Sequence, residues 1–167
     1  PYGHSHPSEW GATLTLPSTL RIIGEQAFNG IPASSLTLPE SLEKIGTAAF
    51  ANCTNLRRAT IPASVKYIGW GAFFYTGLIR VYYNAVDANN EDAEYYSYDI
   101  FPESLARVII GEGVKSIPNS LFRGCKNITR VEMPSTVESF GEYAFNGCTS
   151  LSHIDLPSSL KEIGKYA

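Results

Sequence analysis

The stretch IGTAAFANCTNL, residues 45–56, returns as IGWGAFFYTGL from Ile68, as FGEYAFNGCTSL from Phe140, and more loosely as IPNSLFRGCKNI from Ile117. A catalytic loop has no reason to be copied along a chain. A supersecondary unit that cannot bury its apolar face alone must be, because only stacking against a neighbour of the same kind covers that face. Prolines set the register. Pro17, Pro39, Pro62, Pro134 and Pro157 occupy one position, and Asn84 and Gly111 fill it in the two intervening units, giving seven units with spacings of 22, 23, 22, 27, 23 and 23 residues.

Each unit begins with an alternating apolar pair just before the proline position, such as Leu36 and Leu38, Ala59 and Ile61, Val81 and Tyr83, or Val108 and Ile110. Alternation that stops at proline reads as a short strand, since proline has no amide to extend the ladder. Ile154 and Leu156 predict a seventh strand of the same kind, with His153 on it. An apolar residue three places ahead of the pair, at Leu56, Leu78, Leu105, Ile128 and Leu151, completes an L-x-x-L-x-L pattern. The second half of each unit adds Leu20, Leu42, Val65, Val114, Val137 and Leu160, then Ile23, Ile45, Ile68, Ile117, Phe140 and Ile163, then Phe28, Phe50, Phe73, Phe122 and Phe145. Stacked at about 4.8 Å per rung, these columns form a continuous apolar interior. Gly24, Gly46, Gly69, Gly141 and Gly164 recur between them, but Pro118 takes the same place once. Proline cannot adopt positive φ, so close packing selects glycine there.

Composition agrees with a folded domain: 44% of the 167 residues are hydrophobic and 17% charged, with a net charge of −3. Nothing global draws the chain to nucleic acid, and no run reaches the ~18 apolar residues of a membrane span. The opening PYGHSHPSEW lacks the basic and apolar regions of a signal peptide. Residues 1–11 read as an irregular leader and 12–167 as the repeat array.

The I-P-x-x-V-x-x-I-G-x-x-A-F-x-x-C-x-x-L pattern resembles that of the BspA-like leucine-rich repeats. The resemblance implies a curved repeat solenoid of about seven rungs, with a short parallel β-sheet on its concave face. It also implies a non-enzymatic module of a secreted or cell-surface protein, of adhesin type, that binds host proteins, matrix or other cells. Where better-known leucine-rich repeats carry an Asn or Cys ladder, Thr19, Ser41, Ser64, Thr136 and Ser159 stand instead. Short hydroxyls can bond neighbouring backbone at a turn, so a polar ladder can persist in another form.

The fourth unit breaks the pattern. Residues 84–101, NAVDANNEDAEYYSYDIF, lack the Ile-Gly and Ala-Phe steps, and the irregular region runs to about residue 104. Asp87, Asn89, Glu91 and Asp92 space oxygen ligands like a calcium loop, but Asp92 replaces the glycine of its sixth position and Tyr98 the glutamate of its twelfth. A solvated acidic loop is the simpler reading, and no metal is assigned. Tyr95, Tyr96 and Tyr98 either tie the loop to the solenoid near Trp70, Phe74 and Tyr75 or present an aromatic platform.

Cys53, Cys125 and Cys148 fall in one turn of their units. Cys125 and Cys148, one repeat apart, are placed where a disulfide is conceivable, yet one shared core slot and an odd count point to buried thiols. His4 and His6 lie in the leader with no acidic or cysteine partner nearby in sequence, and the chain lacks G-x-S-x-G, H-E-x-x-H and a phosphate-cradling glycine loop. No catalytic residue and no cofactor is assigned.

Surface remains. Alternate strand residues point away from the core, so the position four before the proline site collects Thr13, Ser35, Arg58, Arg80, Arg107, Arg130 and His153. The position two before collects Thr15, Thr37, Thr60, Tyr82, Ile109, Glu132 and Asp155. Like charges about 5 Å apart repel by about 1 kcal/mol even in bulk water, so four successive arginines need compensation. Glu132 and Asp155 can supply it to Arg130 and His153, leaving Arg58, Arg80 and Arg107 beside Tyr82 and Ile109 less balanced. One reading is a concave strip, Arg58, Arg80, Arg107, Arg130, His153, Tyr82 and Ile109, for anionic groups of a protein or glycan partner. The other is a solvated ladder of long side chains in a structural spacer that presents other domains. Nucleic acid fits neither, because the balance is acidic and aromatics do not interleave with the arginines. The array also stops at Ala167, one residue short of a closing Phe and without a polar cap. That predicts a segment of a longer protein whose last rung, alone, favours end-to-end association.

Overall fold

The computed structural model describes residues 12–89 and 99–167. The leader, with His4 and His6, and the part of the fourth unit carrying Glu91, Asp92, Tyr95, Tyr96 and Tyr98 lie outside the described residues. Among the described residues twelve short strands, numbered along the chain, form two walls. The first wall holds β1 (Ala12–Thr15), β3 (Ala33–Thr37), β5 (Arg58–Ile61), β7 (Arg80–Tyr83), β8 (Arg107–Ile110) and β10 (Arg130–Glu132). The second holds β2 (Ile22–Ile23), β4 (Lys44–Ile45), β6 (Tyr67–Ile68), β9 (Ser116–Ile117), β11 (Ser139–Phe140) and β12 (Glu162–Ile163). Every ladder is parallel and, apart from one register shift between β1 and β3, joins equivalent residues of neighbouring units, as Val81 to Val108 and Ile45 to Ile68. This is a repeat solenoid.

The interior is built from the columns that the repeat defines. Leu42, Val65, Val114 and Val137 are all fully buried, as are Ile45, Phe73 and Ile117. The phenylalanines stack face to face with centroids 5.5 Å apart for Phe28 and Phe50 and 5.4 Å for Phe50 and Phe73. The fourth unit keeps its place in this spine. Phe101 lies 5.3 Å from Phe73 and 5.5 Å from Phe122, so the insertion lengthens the path to the aromatic without removing it. Ile100 stands in for the usual alanine, and its carbonyl accepts from the Phe73 amide just as that of Ala72 accepts from Phe50.

Backbone contacts between rungs explain the glycine column. A Cβ on Gly69 would lie 2.4 Å from the Thr47 nitrogen, and one on Gly46 would lie 2.6 Å from the Gly24 carbonyl carbon. Neither glycine has positive φ. Positive φ falls two residues later, on Gln26, Ala48, Ser120, Tyr143 and Tyr166, with glycine there only at Gly71. Close approach, not handedness, is what excludes a side chain from the column. The hydroxyl ladder also forms: Ser41 donates to the Leu20 carbonyl at 2.7 Å, Ser64 to Leu42 at 2.7 Å, Thr136 to Val114 at 3.0 Å and Ser159 to Val137 at 2.6 Å.

The cysteines are free thiols that repeat one role. Cys53 donates to the Phe28 carbonyl at 3.2 Å and Cys148 to the Phe122 carbonyl at 3.3 Å, each reaching the preceding unit. Burial pushes the Cys148 thiol up to about 11, so it stays protonated at neutral pH.

Two features of the first wall depart from the sequence reading. Its sheet is not continuous: β1 pairs with β3, and β5, β7, β8 and β10 form a separate four-stranded sheet. The register between β1 and β3 shifts so that Ala12 faces Ala33 and Thr13 faces Ser35, leaving Ser34 as an extra residue. A bulge of this kind bends its strand and raises its twist, and no ladder joins β3 to β5. The seventh unit forms no strand at residues 152–156, so His153 is not on a strand. There Leu156 is 51% exposed, and Ile163 and Tyr166 of the same unit are exposed too. Ile154 and Leu156 therefore lack the burial that fixes Val81 and Tyr83 in place.

Candidate functional site

The four-stranded sheet brings the arginines into one row. Arg58 is in register with Arg80, Arg80 with Arg107 and Arg107 with Arg130. A second row on the same face runs through Thr60, Tyr82, Ile109 and Glu132. The apolar partners Ala59, Val81, Val108 and Val131 point into the core, and this alternation holds the two rows on the outer face. His153, the remaining member of the predicted strip, is held beyond the sheet.

Charge along the row is uneven. Glu132 accepts from Arg107 Nε at 2.8 Å and forms an ion pair with the same guanidinium, and Arg130 Nε lies 3.2 Å from the same carboxylate oxygen. The Arg107 hydrogen bond, reinforced by the charges of Arg107, Arg130 and Arg80, holds the Glu132 carboxyl below the usual carboxylate range. His153 Nε2 lies 2.9 Å from Asp155 Oδ1. Glu132 therefore serves Arg107 as well as Arg130, and the stretch without acidic partners contracts to Arg58 and Arg80, which form no ion pair among the described residues.

Crevices bound the sheet on both sides. Where β3 and β5 fail to pair, an opening of about 340 Å³ is lined by Ser34, Ser35, Leu36, Arg57, Arg58, Ala59 and Thr60. Beyond β10 an opening of about 450 Å³ is lined by residues 129–133 with His153 and Asp155. The first offers hydroxyls and two guanidinium groups, with Arg57 anchored by donation to the Gly77 carbonyl at 3.2 Å. The second mixes Arg130 with Glu132 and Asp155. An anion is therefore favoured at the first, beside Arg58.

Sequence reading missed two residues here. Ile79, at the mouth of β7, is 48% exposed, and Arg57 lines the crevice. Both occupy the position just before the arginine row, which the alternation rule does not assign to a face. The signal available was an isoleucine in a column that holds Ser34, Arg57 and Thr129 elsewhere.

No group of three or more His, Cys, Asp or Glu side chains among the described residues could hold a metal ion. Nor is any helix among them long and apolar enough to cross a membrane.

The repeat architecture has a counterpart in a family model: the BspA type leucine rich repeat region, in six copies, matches residues 11–100 and 93–167. The chain belongs to the BspA-type leucine-rich repeat family. It is similar to a leucine rich cell surface protein of Faecalibacterium prausnitzii, with 28% identity over 92% of this chain and 44% of that one, at a TM-score of 0.59. It is similar as well to the leucine-rich repeat protein of T. pallidum, with 26% identity over 92% of this chain and 73% of that one, at a TM-score of 0.62. A leucine-rich repeat protein of Eubacterium ventriosum, at 20% identity and a TM-score of 0.62 over 93% of this chain, shares the fold. The chain thus spans under half the length of the F. prausnitzii protein. No curated protein sequence is significantly similar to it.

Proposed function

We propose that this BspA-type repeat array is a non-enzymatic recognition module of a secreted or cell-surface protein, of adhesin type, which takes anionic groups of a protein or glycan on the face of its four-stranded sheet. The observation that carries the reading is the pair Arg58 and Arg80, adjacent in register and without ion-pair partners among the described residues, with Arg58 open to the crevice beside β5. Each planar guanidinium can meet two oxygens of a carboxylate or sulfate in a bidentate pair, and this face sets two such groups on adjacent strands. The surface setting is supported by the family and by the likeness to the F. prausnitzii cell surface protein.

The test is a double charge reversal, Arg58→Glu with Arg80→Glu, assayed on an array of matrix proteins and acidic glycans. Binding should fall by about tenfold or more, the equivalent of at least ~1.4 kcal/mol, and the wild-type signal should weaken as salt rises. Unchanged binding at low and high salt would leave a structural spacer as the better description.

A further inference from the structure

We infer that the occupant of the Arg58 and Arg80 stretch is a protein segment that sets a carboxylate beside an apolar side chain. The inference rests on the reading of this face as a recognition surface and narrows its ligand to one class. Within the four-stranded sheet, the apolar residues of the two outer columns gather beside the middle arginines. In the column two before the proline position, β1, β3 and β5 carry Thr15, Thr37 and Thr60 and β10 carries Glu132, whereas β7 and β8 carry Tyr82 and Ile109. In the column five before it, Ser34, Arg57 and Thr129 give way to Ile79 and Ala106 in the same two units.

The backbone fixes these four residues around one point. Tyr82 is in register with Ile109 and Arg80 with Arg107, while the Ala106 amide donates to the Ile79 carbonyl at 3.0 Å. Arg80 and Arg107 therefore lie between an apolar pair on each side. A single exposed isoleucine needs no explanation, but tyrosine, isoleucine and an unpaired arginine side by side have the make-up of a protein-binding hot spot. A sulfated or uronate glycan would engage the guanidinium groups and gain little from Ile79 and Ile109. A peptide carboxylate gains both. The distance from the Arg58 strand to the Ile109 strand is two strand spacings, about 10 Å. Three extended residues span that length, so an acidic residue with an apolar one within three positions of it fits the patch.

Three immobilised probes test this with the intact chain: polyglutamate, a random copolymer of glutamate and tyrosine, and heparin. The wild-type chain should bind the copolymer about tenfold more tightly than either polyglutamate or heparin, a difference of ~1.4 kcal/mol. Ile79→Ser with Ile109→Ser should bring copolymer binding down to the polyglutamate level and leave polyglutamate binding unchanged. Tyr82→Thr, which restores the residue type of Thr60, provides a milder second variant with the same expected direction should the double variant fail to fold. Heparin binding as tight as copolymer binding, or a copolymer preference that survives both sets of apolar changes, would overturn the inference while leaving the anionic recognition face in place. Indifference of all three probes to Arg58→Glu with Arg80→Glu would overturn both.

Discussion

Two columns of this solenoid put the same residue on successive rungs, and the physics runs in opposite directions in each. Phe50, Phe73, Phe101, Phe122 and Phe145 stack at centroid distances between 5.3 and 5.5 Å, where every added ring buries its neighbours. Arg58, Arg80, Arg107 and Arg130 stand in the same kind of register, where every added charge repels its neighbours. A third column shows how the chain otherwise handles charge. On the flank, Arg21, Glu43 and Lys66, then Lys115, Glu138 and Lys161, alternate in sign, with ion pairs of 2.8 Å between Arg21 and Glu43 and 2.6 Å between Lys161 and Glu138. On the arginine column's own face, the N-terminal sheet uses Ser35, which donates to the Thr13 hydroxyl at 2.9 Å. The N-terminal sheet thus fills that position with paired hydroxyls in place of charge.

The largest effect that would sharpen this contrast is in the spine. Phe73→Ala should destabilise by about 3 to 5 kcal/mol through lost burial and a residual cavity. Because each rung touches only its neighbours, protection from hydrogen exchange should fall first from about residue 60 to 110. A uniform loss across all units would show that the stack behaves as one cooperative block. Next in size is the glycine column. Gly69→Ala drives a Cβ against the Thr47 backbone at 2.4 Å, whereas a Cβ on Gly24 meets nothing within 4 Å. The first should lower stability by about 1 to 3 kcal/mol, and Gly24→Ala should leave it nearly unchanged. Equal melting shifts for the two would mean that the glycines are not there for rung contact.

Much of this was legible in the sequence because the repeat itself reports burial. The proline register located the strands, the three apolar columns located the core, and Pro118 in the glycine column pointed to close packing over positive φ. What escaped depends on departures from the repeat. One extra residue, Ser34, splits the first wall, and a bulge leaves no mark in composition. Phe101 rejoins the spine from the far side of an insertion, where counting from Asn84 loses register. The missing seventh strand depends on burial that Ile154 and Leu156 do not have. At the candidate site the arginine row was plain from spacing, but the partition of its charges was not. Glu132 can reach two arginines because its own strand lies beside Arg107, a cross-strand relation that counting along one chain does not show.

A smaller effect separates the arginine column from the spine directly. Arg80→Thr introduces the residue type found at Thr13 and removes one of two adjacent cations that form no ion pair among the described residues. Stability should change by no more than about 0.5 kcal/mol, with any shift upward. Destabilisation on the scale of Phe73→Ala would break the comparison, since the column would then be structural after all. The check is a pair of denaturant curves for the two variants under one buffer and salt.

The smallest effect is at Glu132, and its sign follows from the hydrogen bond with Arg107. That bond holds the folded-state carboxyl below the ordinary glutamate range. The ionised group therefore contributes stability above its unfolded pKa of about 4.3, and the contribution is lost as pH falls through the lower folded-state value. Glu132→Gln should flatten that acid limb by lowering stability slightly at neutral pH and leaving it close to wild type once pH falls below the folded-state value. It should act on recognition in the opposite sense. With the carboxylate gone, Arg107 and Arg130 join Arg58 and Arg80 as unpaired cations, so polyglutamate should bind more tightly and with a steeper loss on adding salt. Weaker binding by Glu132→Gln would mean that the carboxylate orients the guanidinium groups that the anion meets, and the usable strip would then centre on Arg107 instead of on Arg58 and Arg80.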